Sequence, residues 1–294
     1  MTKLFRSLLI ATAITLPFMA TSAQAVSLGF LGTSLTTLNA KRTFDDAIEK
    51  GNGGNIDGTF VDLRYNFGDV DILAALPNLD ILWVVVRNSG RGSDQPLAHL
   101  NSGSLPGIVD VVDDWVKNGG HLIYSDSKMT AANNVVPGAS GWTMFVENST
   151  SKDIEVPNRP FNPLVTGYAG SYSDYQISEF GRGFAASNNP DNLPENHRQY
   201  LLDERNGYVV DFGYAYGNGH VYYSTTPTVR ALQNLTNIPA GQVPYRHNML
   251  ELNIRLAADG PAPIPVPAPM ALLMGGITAL VVVRVRKPGR THTV

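Results

Sequence analysis

Two serines directly after a short apolar segment are the first candidates for chemistry. Residues 124–128 read Tyr-Ser-Asp-Ser-Lys, and Tyr124 is also the last residue of the apolar segment 121–124. A serine that is activated by a histidine base and oriented by a carboxylate can act as a hydrolytic nucleophile. The same cluster after a strand is also typical of a helix cap or an Asx turn. Ser125, Ser127 and His220 are therefore catalytic candidates, with a purely structural role as the alternative.

The histidines and carboxylates form no recognisable metal motif. The histidines before residue 260 include no His-x-His or His-x-x-x-His pair, the spacings with which a strand or a helix presents two zinc ligands; they are His99, His121, His197, His220 and His247. Asp113 and Asp114 are adjacent on a predicted helix, where neighbours do not share one face. We predict no metal and no cofactor, and calcium binding in a loop stays open as an alternative.

Composition excludes several classes of protein. The chain has no cysteine, which rules out a disulfide framework, a Cys-ligated metal and a cysteine nucleophile. All 25 acidic residues lie between residues 26 and 260, whereas 6 of the 22 basic residues lie outside that segment. The segment therefore carries 16 basic and 25 acidic residues, a formal charge of −9. This charge argues against nucleic acid and anionic lipid as partners.

The first 25 residues have the organisation of a secretory signal peptide. Lys3 and Arg6 precede an apolar run at 7–20, and the small residues Ala23 and Ala25 follow it. That order is typical of a signal that signal peptidase removes, and the run is shorter than the ~20 residues of a membrane span. We predict a signal helix at residues 1–25 with cleavage after Ala25, and an uncleaved membrane anchor is the alternative.

The C-terminal segment combines a proline-rich spacer, an apolar run and a basic end. In residues 261–269 every second residue is proline, which favours an extended polyproline spacer. Residues 270–283 carry no charge and predict a transmembrane helix, because a helix satisfies its own backbone groups in lipid. Arg284, Arg286 and Lys287 follow and should stay on the cytoplasmic side. We therefore predict a spacer at 261–269 and a transmembrane helix with a basic end at 270–290.

The spacer ends in a short motif that suggests how the tail is used. Val266, Pro267, Ala268 and Pro269 precede the apolar run, and this order resembles the PEP-CTERM sorting tail of Gram-negative bacteria. The usual family motif is Val-Pro-Glu-Pro, so this chain has a variant without the glutamate. The resemblance implies an inner-membrane intermediate, cleavage near the motif by an exosortase-type enzyme, and transfer to the cell surface or extracellular matrix. A single-pass tail anchor is the alternative.

Between the two ends, residues 26–260 alternate between strand and helix patterns and are predicted to form one domain. The predicted strands are 26–31, 59–63, 80–86, 121–124, 207–212 and 220–224, and the predicted helices are 41–50, 70–76, 105–118 and 243–258. This alternation predicts an α/β fold with a mostly parallel, flavodoxin-like sheet and helices on both faces. Leu73 and Leu76 are predicted to face the core. Residues 87–101 are predicted to form a polar loop, and residues 217–219 a tight turn.

One helix pattern and one irregular region matter for function. The helix at 105–118 has a predicted apolar stripe of Ile108, Val111, Val112, Trp115 and Val116. Residues 131–206 are rich in Asn, Pro, Gly, Ser and Tyr, with short strands predicted at 142–146 and 175–180. We expect this region beyond the C-terminal ends of the strands, where α/β sheets bind ligands. Its aromatics and those of the following strands suit sugar binding or ordinary packing: Tyr168, Tyr172, Tyr175, Phe180, Phe184, Tyr214, Tyr216, Tyr222 and Tyr223.

Three local patterns resemble one family. Residues 76–84 read Leu-Pro-Asn-Leu-Asp-Ile-Leu-Trp-Val, residues 115–123 read Trp-Val-Lys-Asn-Gly-Gly-His-Leu-Ile, and residues 216–224 read Tyr-Gly-Asn-Gly-His-Val-Tyr-Tyr-Ser before a final helix with Asn248 and Asn253. Together they resemble the class I glutamine-amidotransferase-like fold, which includes ThuA-like proteins. The catalytic members use a Cys–His–Glu triad with a Gly-x-Cys-x-Gly elbow. Residues 124–128 contain neither the cysteine nor the glycines, so the resemblance implies the scaffold without amidotransferase activity.

Three hypotheses of function follow from the sequence. The first is a non-catalytic, exported surface or matrix protein, whose expected partners are signal peptidase, an exosortase-type enzyme and polysaccharide. The second is a hydrolase on the same scaffold, which requires a base beside residues 125–128. The third is a sugar-binding module, which requires an aromatic cleft built from residues 131–216.

Overall fold

The computed structural model describes residues 25–51, 56–64, 71–86, 96–126, 135–139, 142, 144–147, 154–172, 185–188, 192–204, 207–226, 228, 232 and 241–259. Several predicted features lie outside these residues: Ser127, the signal up to residue 24 including Ala23, the strand at 175–180, the spacer and sorting motif at 261–269, and the apolar run with its basic end at 270–290. Among the described residues, no helix is both long and apolar enough to cross a bilayer.

The described residues form ten strands and six α-helices. The strands are β1 (Ala25–Leu31), β2 (Asp57–Asp62), β3 (Ile81–Val85), β4 (His121–Ser125), β5 (Met144–Glu147), β6 (Ile154–Glu155), β7 (Ala185–Asn188), β8 (Arg198–Asp203), β9 (Val209–Tyr216) and β10 (Gly219–Ser224). The helices are α1 (Ser34–Lys50), α2 (Ile72–Ala75), α3 (Pro96–Ser102), α4 (Ile108–Lys117), α5 (Pro163–Thr166) and α6 (Gln242–Ala258). Short 3-10 turns at Leu76–Asn78 and Arg159–Phe161 complete the described elements.

The strands pair in one sheet, and its order confirms the predicted α/β class. The main path is β2-β1-β3-β4-β10-β9-β7-β5, with β8 pairing with β9 and β6. The first five of these strands are parallel, in the flavodoxin-like order. All pairings beyond β10 are antiparallel, so the prediction of a mostly parallel sheet holds for only half of it. We call the edge where β3, β4 and β10 begin the N-terminal edge, and the opposite edge the C-terminal edge.

Apolar residues on both faces of the central strands require a helix layer on each side. In β3, Ile81, Trp83 and Val85 belong to a core under α1 and α6, whereas Leu82 and Val84 belong to a core under α2, α3 and α4. Every residue of β3 is buried. The prediction of helices on both faces is therefore confirmed.

The helices between β2 and β4 differ from the predicted pattern. In α4 the buried residues are Ile108, Val112 and Val116, while Val111 is 41% exposed, so the apolar stripe is narrower than predicted. The helix predicted at 70–76 is the single turn α2, capped by the Asp71 carboxylate, which accepts from the backbone N–H of Leu73 at 3.0 Å. Ile72 and Leu76 form the buried face of this turn, so Leu76 faces the core as predicted, whereas Leu73 is 39% exposed, contrary to the prediction.

Two further segments, 87–101 and 131–206, differ from the prediction. The predicted polar loop 87–101 contains the start of α3, which buries Leu97 and Leu100. The described parts of 131–206 extend the sheet as β5 to β8 rather than forming a layer beyond the strand ends. The strand β8 was missed, although its Arg-Gln-Tyr-Leu-Leu-Asp sequence buries Tyr200 and Leu201.

The β9–β10 turn rests on the end of α4, and this contact predicts how two turn glycines differ. Gly217 has φ +61 and a Cβ there would lie 2.6 Å from the backbone Cα of Lys117, whereas Gly207 in the β8–β9 turn has φ +69 and open space around it. Both Gly→Ala variants should lose about 1–2 kcal/mol of unfolding free energy for the left-handed backbone. Gly217→Ala should lose roughly 1–3 kcal/mol more, because the backbone of α4 must move. Urea denaturation measures both, and equal losses would contradict the predicted contact.

Candidate functional site

Ser125, the predicted nucleophile, is the last residue of β4 and is buried beside β3. Only 2% of the residue is exposed. Its hydroxyl oxygen accepts from the indole N–H of Trp83 at 3.4 Å, and its backbone carbonyl accepts from the N–H of Val86 at 2.9 Å. These contacts hold the side chain inside the core, where a substrate has no approach.

The structure does not bring His220 to Ser125. In the parallel pair of β10 with β4, His220 is opposite His121 and Ser224 is opposite Ser125. Four residues along a strand span about 13 Å, so the base and the nucleophile proposed from the sequence lie at opposite edges of the sheet. This register contradicts a Ser125–His220 pair, because the two side chains cannot exchange a proton over that distance.

His220 has a packing role at the N-terminal edge. Its ring stacks on that of His121 with centroids 6.0 Å apart. Burial lowers the pKa of His121 to about 4 and that of His220 to about 3, so both rings are neutral at pH 7. A Cβ at Gly213 would lie 2.7 Å from the His220 ring, which shows how closely β9 packs on it.

A buried carboxylate, that of Asp211, lies near the end of β4 and is hydrogen-bonded by hydroxyl groups. Asp211 on β9 is fully buried. It accepts from the hydroxyls of Ser224 at 2.8 Å and Tyr222 at 3.0 Å, and also from the hydroxyl of Tyr245 on α6. The N–H of Asp126 in turn donates to the Ser224 carbonyl at 2.8 Å, which ties this cluster to the end of β4. We call Asp211, Tyr222, Ser224, Thr226 and Tyr245 the Asp211 cluster.

The hydroxyls of the Asp211 cluster are also bound to one another. Tyr245 Oη lies 2.6 Å from Thr226 Oγ1 and 3.0 Å from Ser224 Oγ, and the two smaller hydroxyls contact each other. Burial raises the pKa of Asp211 to about 6, although the hydrogen bonds from Tyr245, Ser224 and Tyr222 act in the opposite direction. The cluster joins β9, β10 and α6. Because no member is more than 2% exposed, it offers no open surface to a ligand.

The sequence contains an indication of this cluster, although none of the predicted catalytic residues belongs to it. Asp211 is the one charged residue in an otherwise apolar or aromatic strand, Val-Val-Asp-Phe-Gly-Tyr-Ala-Tyr. A charge in a buried strand must find hydrogen-bond donors, because its desolvation is otherwise too costly. Two of the partners, Ser224 and Tyr245, follow Asp211 by 13 and 34 positions in the sequence, and only the fold brings them together.

Among the described residues, no three His, Asp or Glu side chains are close enough to share a metal ion. Of the aromatic residues singled out in the sequence, Tyr172, Tyr214, Tyr222 and Tyr223 are buried in the two cores, and Tyr168 packs on the His247 ring. Tyr175, Phe180 and Phe184 lie outside the described residues.

An aromatic cleft does open at the N-terminal edge. Its volume is about 310 Å³, and it is lined by Gly138, Trp142, Asn192, Leu193, Pro194, Tyr214, Ala215 and Tyr216. All of these residues fall within the predicted range of 131–216. The cleft nevertheless lies at the edge opposite to the one expected, because β9 runs antiparallel to β10 and ends there.

Two large aromatic side chains of the cleft, Trp142 and Tyr216, are both held by other residues of the fold. The Trp142 ring packs edge-on against Phe212, Tyr214 and Tyr223, with centroids 5.1–5.8 Å away. Its buried indole N–H has no hydrogen-bond partner among the described residues. Tyr216, on the outer wall, donates its hydroxyl to the Asp113 carboxylate of α4 at 2.9 Å. We call this the Trp142–Tyr216 cleft.

Charges of α4 hold the outer wall of the cleft. Lys117 forms an ion pair with Asp113 at 2.5 Å, and its ammonium group lies 5.6 Å from the centroid of the Tyr216 ring. The Asp113 hydrogen bond raises the pKa of Lys117, and desolvation raises the pKa of Tyr216, so both keep their protons at neutral pH. The site is suited to binding a neutral polar ligand through ring faces and hydrogen bonds.

Comparisons with known proteins give fold-level similarity only. No family model and no curated protein sequence matches the chain. A solved exo-β-1,4-mannosidase from Opitutaceae bacterium strain TAV5 is similar at a TM-score of 0.45 and 12% identity; the match covers 78% of this chain and 36% of the mannosidase, so the chain spans about a third of that enzyme.

Two other similar structures match over nearly their whole length. A cytoplasmic protein from Salmonella typhimurium has a TM-score of 0.46 and 13% identity, covering 78% of this chain and 98% of that one. A ThuA-like protein from Bacteroides uniformis has a TM-score of 0.43 and 8% identity, covering 82% and 94%. ThuA-like proteins are thus among the structures that this chain is similar to, and the similarity concerns the fold rather than any site.

The Asp211 cluster predicts an unusual pH dependence of stability. The pKa of Asp211 is about 6 in the folded chain and 3.8 in the unfolded chain, so its contribution is fully present below pH 3.8 and is lost as the pH rises through 6. The unfolding free energy of the wild type, measured relative to that of Asp211→Asn, should therefore fall by roughly 2 kcal/mol between pH 4 and pH 7.

Asp46→Asn is the matched control for this experiment. The Lys50 hydrogen bond lowers the pKa of the half-buried Asp46 carboxyl, so its contribution appears as the pH rises and has the opposite sign. Urea denaturation across this pH range measures both variants. A constant difference between wild type and Asp211→Asn would contradict a raised pKa at Asp211.

Proposed function

We propose that the chain is an exported, non-catalytic protein of the bacterial surface or extracellular matrix, delivered by its N-terminal signal and sorted through its C-terminal tail. The observation that carries the proposal is the agreement between the fold and the predicted processing sites. β1 begins at Ala25, beside the predicted cleavage bond, and α6 ends at Ala258, three residues before the proline-rich spacer. Removal of both ends would leave every described element intact, apart from the loss of Ala25 from the start of β1.

The geometry of the candidate nucleophile favours a non-catalytic role over a hydrolase. A hydrolase needs a base within hydrogen-bond reach of an accessible serine. Ser125 is buried against Trp83, and His220 belongs to the other edge of the sheet. Ser224 does contact a carboxylate, that of Asp211 at 2.8 Å, but Ser224 is itself fully buried. The amidotransferase-like patterns in the sequence are then best explained as a scaffold that has another use.

That use, in our proposal, is carbohydrate binding in the Trp142–Tyr216 cleft. Sugars are bound by aromatic faces together with a few hydrogen-bonding groups. The half-buried Tyr216 ring supplies an aromatic face, and the exposed Asn192, which carries an amide, also lines the cleft. A neutral or cationic polysaccharide also suits a domain whose formal charge is −9.

The sorting proposal predicts two trimmed ends in a host that has an exosortase. Intact mass measurement of the protein from such a Gram-negative host should show a chain that starts at Val26 and ends near 266–269, outside the inner membrane. In the same host without the exosortase, the chain should keep its C-terminal tail and stay in the inner membrane. A full-length tail held in the inner membrane of both strains would leave a tail-anchored domain instead.

The carbohydrate proposal predicts a loss of binding at one tyrosine only. Tyr216→Ala should weaken retention of the domain in affinity electrophoresis on host exopolysaccharide by about tenfold, because the loss of a ring contact costs ~1 kcal/mol or more. Tyr208→Ala, a half-buried tyrosine at the C-terminal edge, should bind like the wild type. Equal binding by both variants would exclude this cleft.

A further inference from the structure

A second groove lies on the other flank of α4, at the N-terminal edge of the sheet. Its volume is about 460 Å³, and its lining includes Leu73, Pro77, Asp80, Val111, Trp115 and Asn118. We call it the Trp115 groove. It contains two of the large apolar side chains that the described residues expose, Leu73 at 39% and Val111 at 41%.

The polar groups of the Trp115 groove are already used within the fold. The Asp80 carboxylate accepts from the N–H and the hydroxyl of Ser27, both at 2.7 Å. The Asn118 amide donates to the carbonyl of Asp114 at 2.9 Å. Trp115 packs its indole on Gly120, where a Cβ would lie 2.3 Å from the ring. The larger part of the free surface of the groove is apolar, with one aromatic ring and one proline in its walls.

The end of α6 shows which part of the chain is delivered to this edge. Tyr245, in the first turn of α6, contacts Thr226 just after β10, so the helix starts at the C-terminal edge. From Tyr245 to Ala258 it rises about 20 Å, which is the length of a six-residue strand such as β10. Since α6 packs along β1, β3 and β4, it ends at the N-terminal edge.

We propose that the Trp115 groove binds the proline-rich segment 261–269 of the same chain. The segment begins two residues after Asp259, which follows α6. The groove lies at the starts of β3 and β4 on the opposite face, two layer spacings or roughly 20 Å away. Nine residues in polyproline conformation span about 28 Å, so the segment reaches the groove with its last residues.

The chemistry of the segment fits the groove. Pro261, Pro263, Pro265, Pro267 and Pro269 alternate with Ala, Ile or Val, and none of the nine residues is charged. Polyproline segments bind in aromatic-lined apolar grooves, because they lose little conformational entropy on binding and stack proline rings on aromatic ones. Docking covers Leu73 and Val111, and it draws residues 266–269 against the domain. A role in regulating tail cleavage would rest on the sorting proposal, but the docking itself does not.

Site-specific photo-crosslinking of the full chain in detergent micelles tests this docking. With p-benzoylphenylalanine in place of Leu73, light should join position 73 to the tryptic peptide 256–284 of the same molecule. The matched control places the same residue at Val243, which is 41% exposed in the first turn of α6 at the other edge. The yield at position 73 should exceed the control roughly tenfold, since a short tether gives a millimolar effective concentration.

A second groove position and a changed spacer complete the test. Val111→p-benzoylphenylalanine on the opposite wall should crosslink to the same peptide, and a Gly/Ser sequence of equal length at 261–269 should reduce both yields to the control level. Crosslinks that join two copies on a gel would assign the groove to a second molecule and overturn the proposal. Equal yields at positions 73 and 243 would also overturn it, whether or not the tail is processed in cells.

Discussion

Burial of both faces of β3 is the constraint on which the other elements depend. Ile81–Val85 carries apolar side chains on each face, so this strand is stable only between two helix layers. The chain meets this requirement by placing α1 and α6 on one face and α2, α3 and α4 on the other. The flavodoxin-like order of β2-β1-β3-β4-β10 follows, because the helix after β1 and the helices before β4 must pack on opposite faces.

The two edges of this sheet are used differently. At the C-terminal edge, where α/β sheets commonly bind ligands, the chain places the closed Asp211 cluster. Its carboxylate and hydroxyls satisfy one another, which makes a buried charge tolerable but leaves no group for a substrate. At the N-terminal edge, both flanks of α4 are open: Tyr216 borders one cleft, and Trp115 the other groove.

The sequence was a good guide to elements and a poor one to contacts between them. The apolar run of β3 and the alternation of strands and helices from β1 to β4 could be predicted, because each depends on a local sequence pattern. The exposure of Leu73 could not be predicted in this way, because the buried face of the short helix α2 carries Ile72 instead. The Ser125–His220 pair was wrong because parallel register depends on the whole sheet: it aligns Ser125 with Ser224 and His220 with His121. The aromatic cleft was predicted in residue range but not in location, since the direction of β9 decides its edge.

The central claim is that this protein binds ligands at the N-terminal edge of its sheet. Hydrogen–deuterium exchange of the mature domain, with and without exopolysaccharide from its host, tests it directly. We predict added protection at residues 113–117 and 214–219, around Tyr216, and unchanged exchange at 224–226 and 245–249, around the Asp211 cluster. Protection confined to the residues around the Asp211 cluster would contradict the claim and return the functional site to the C-terminal edge.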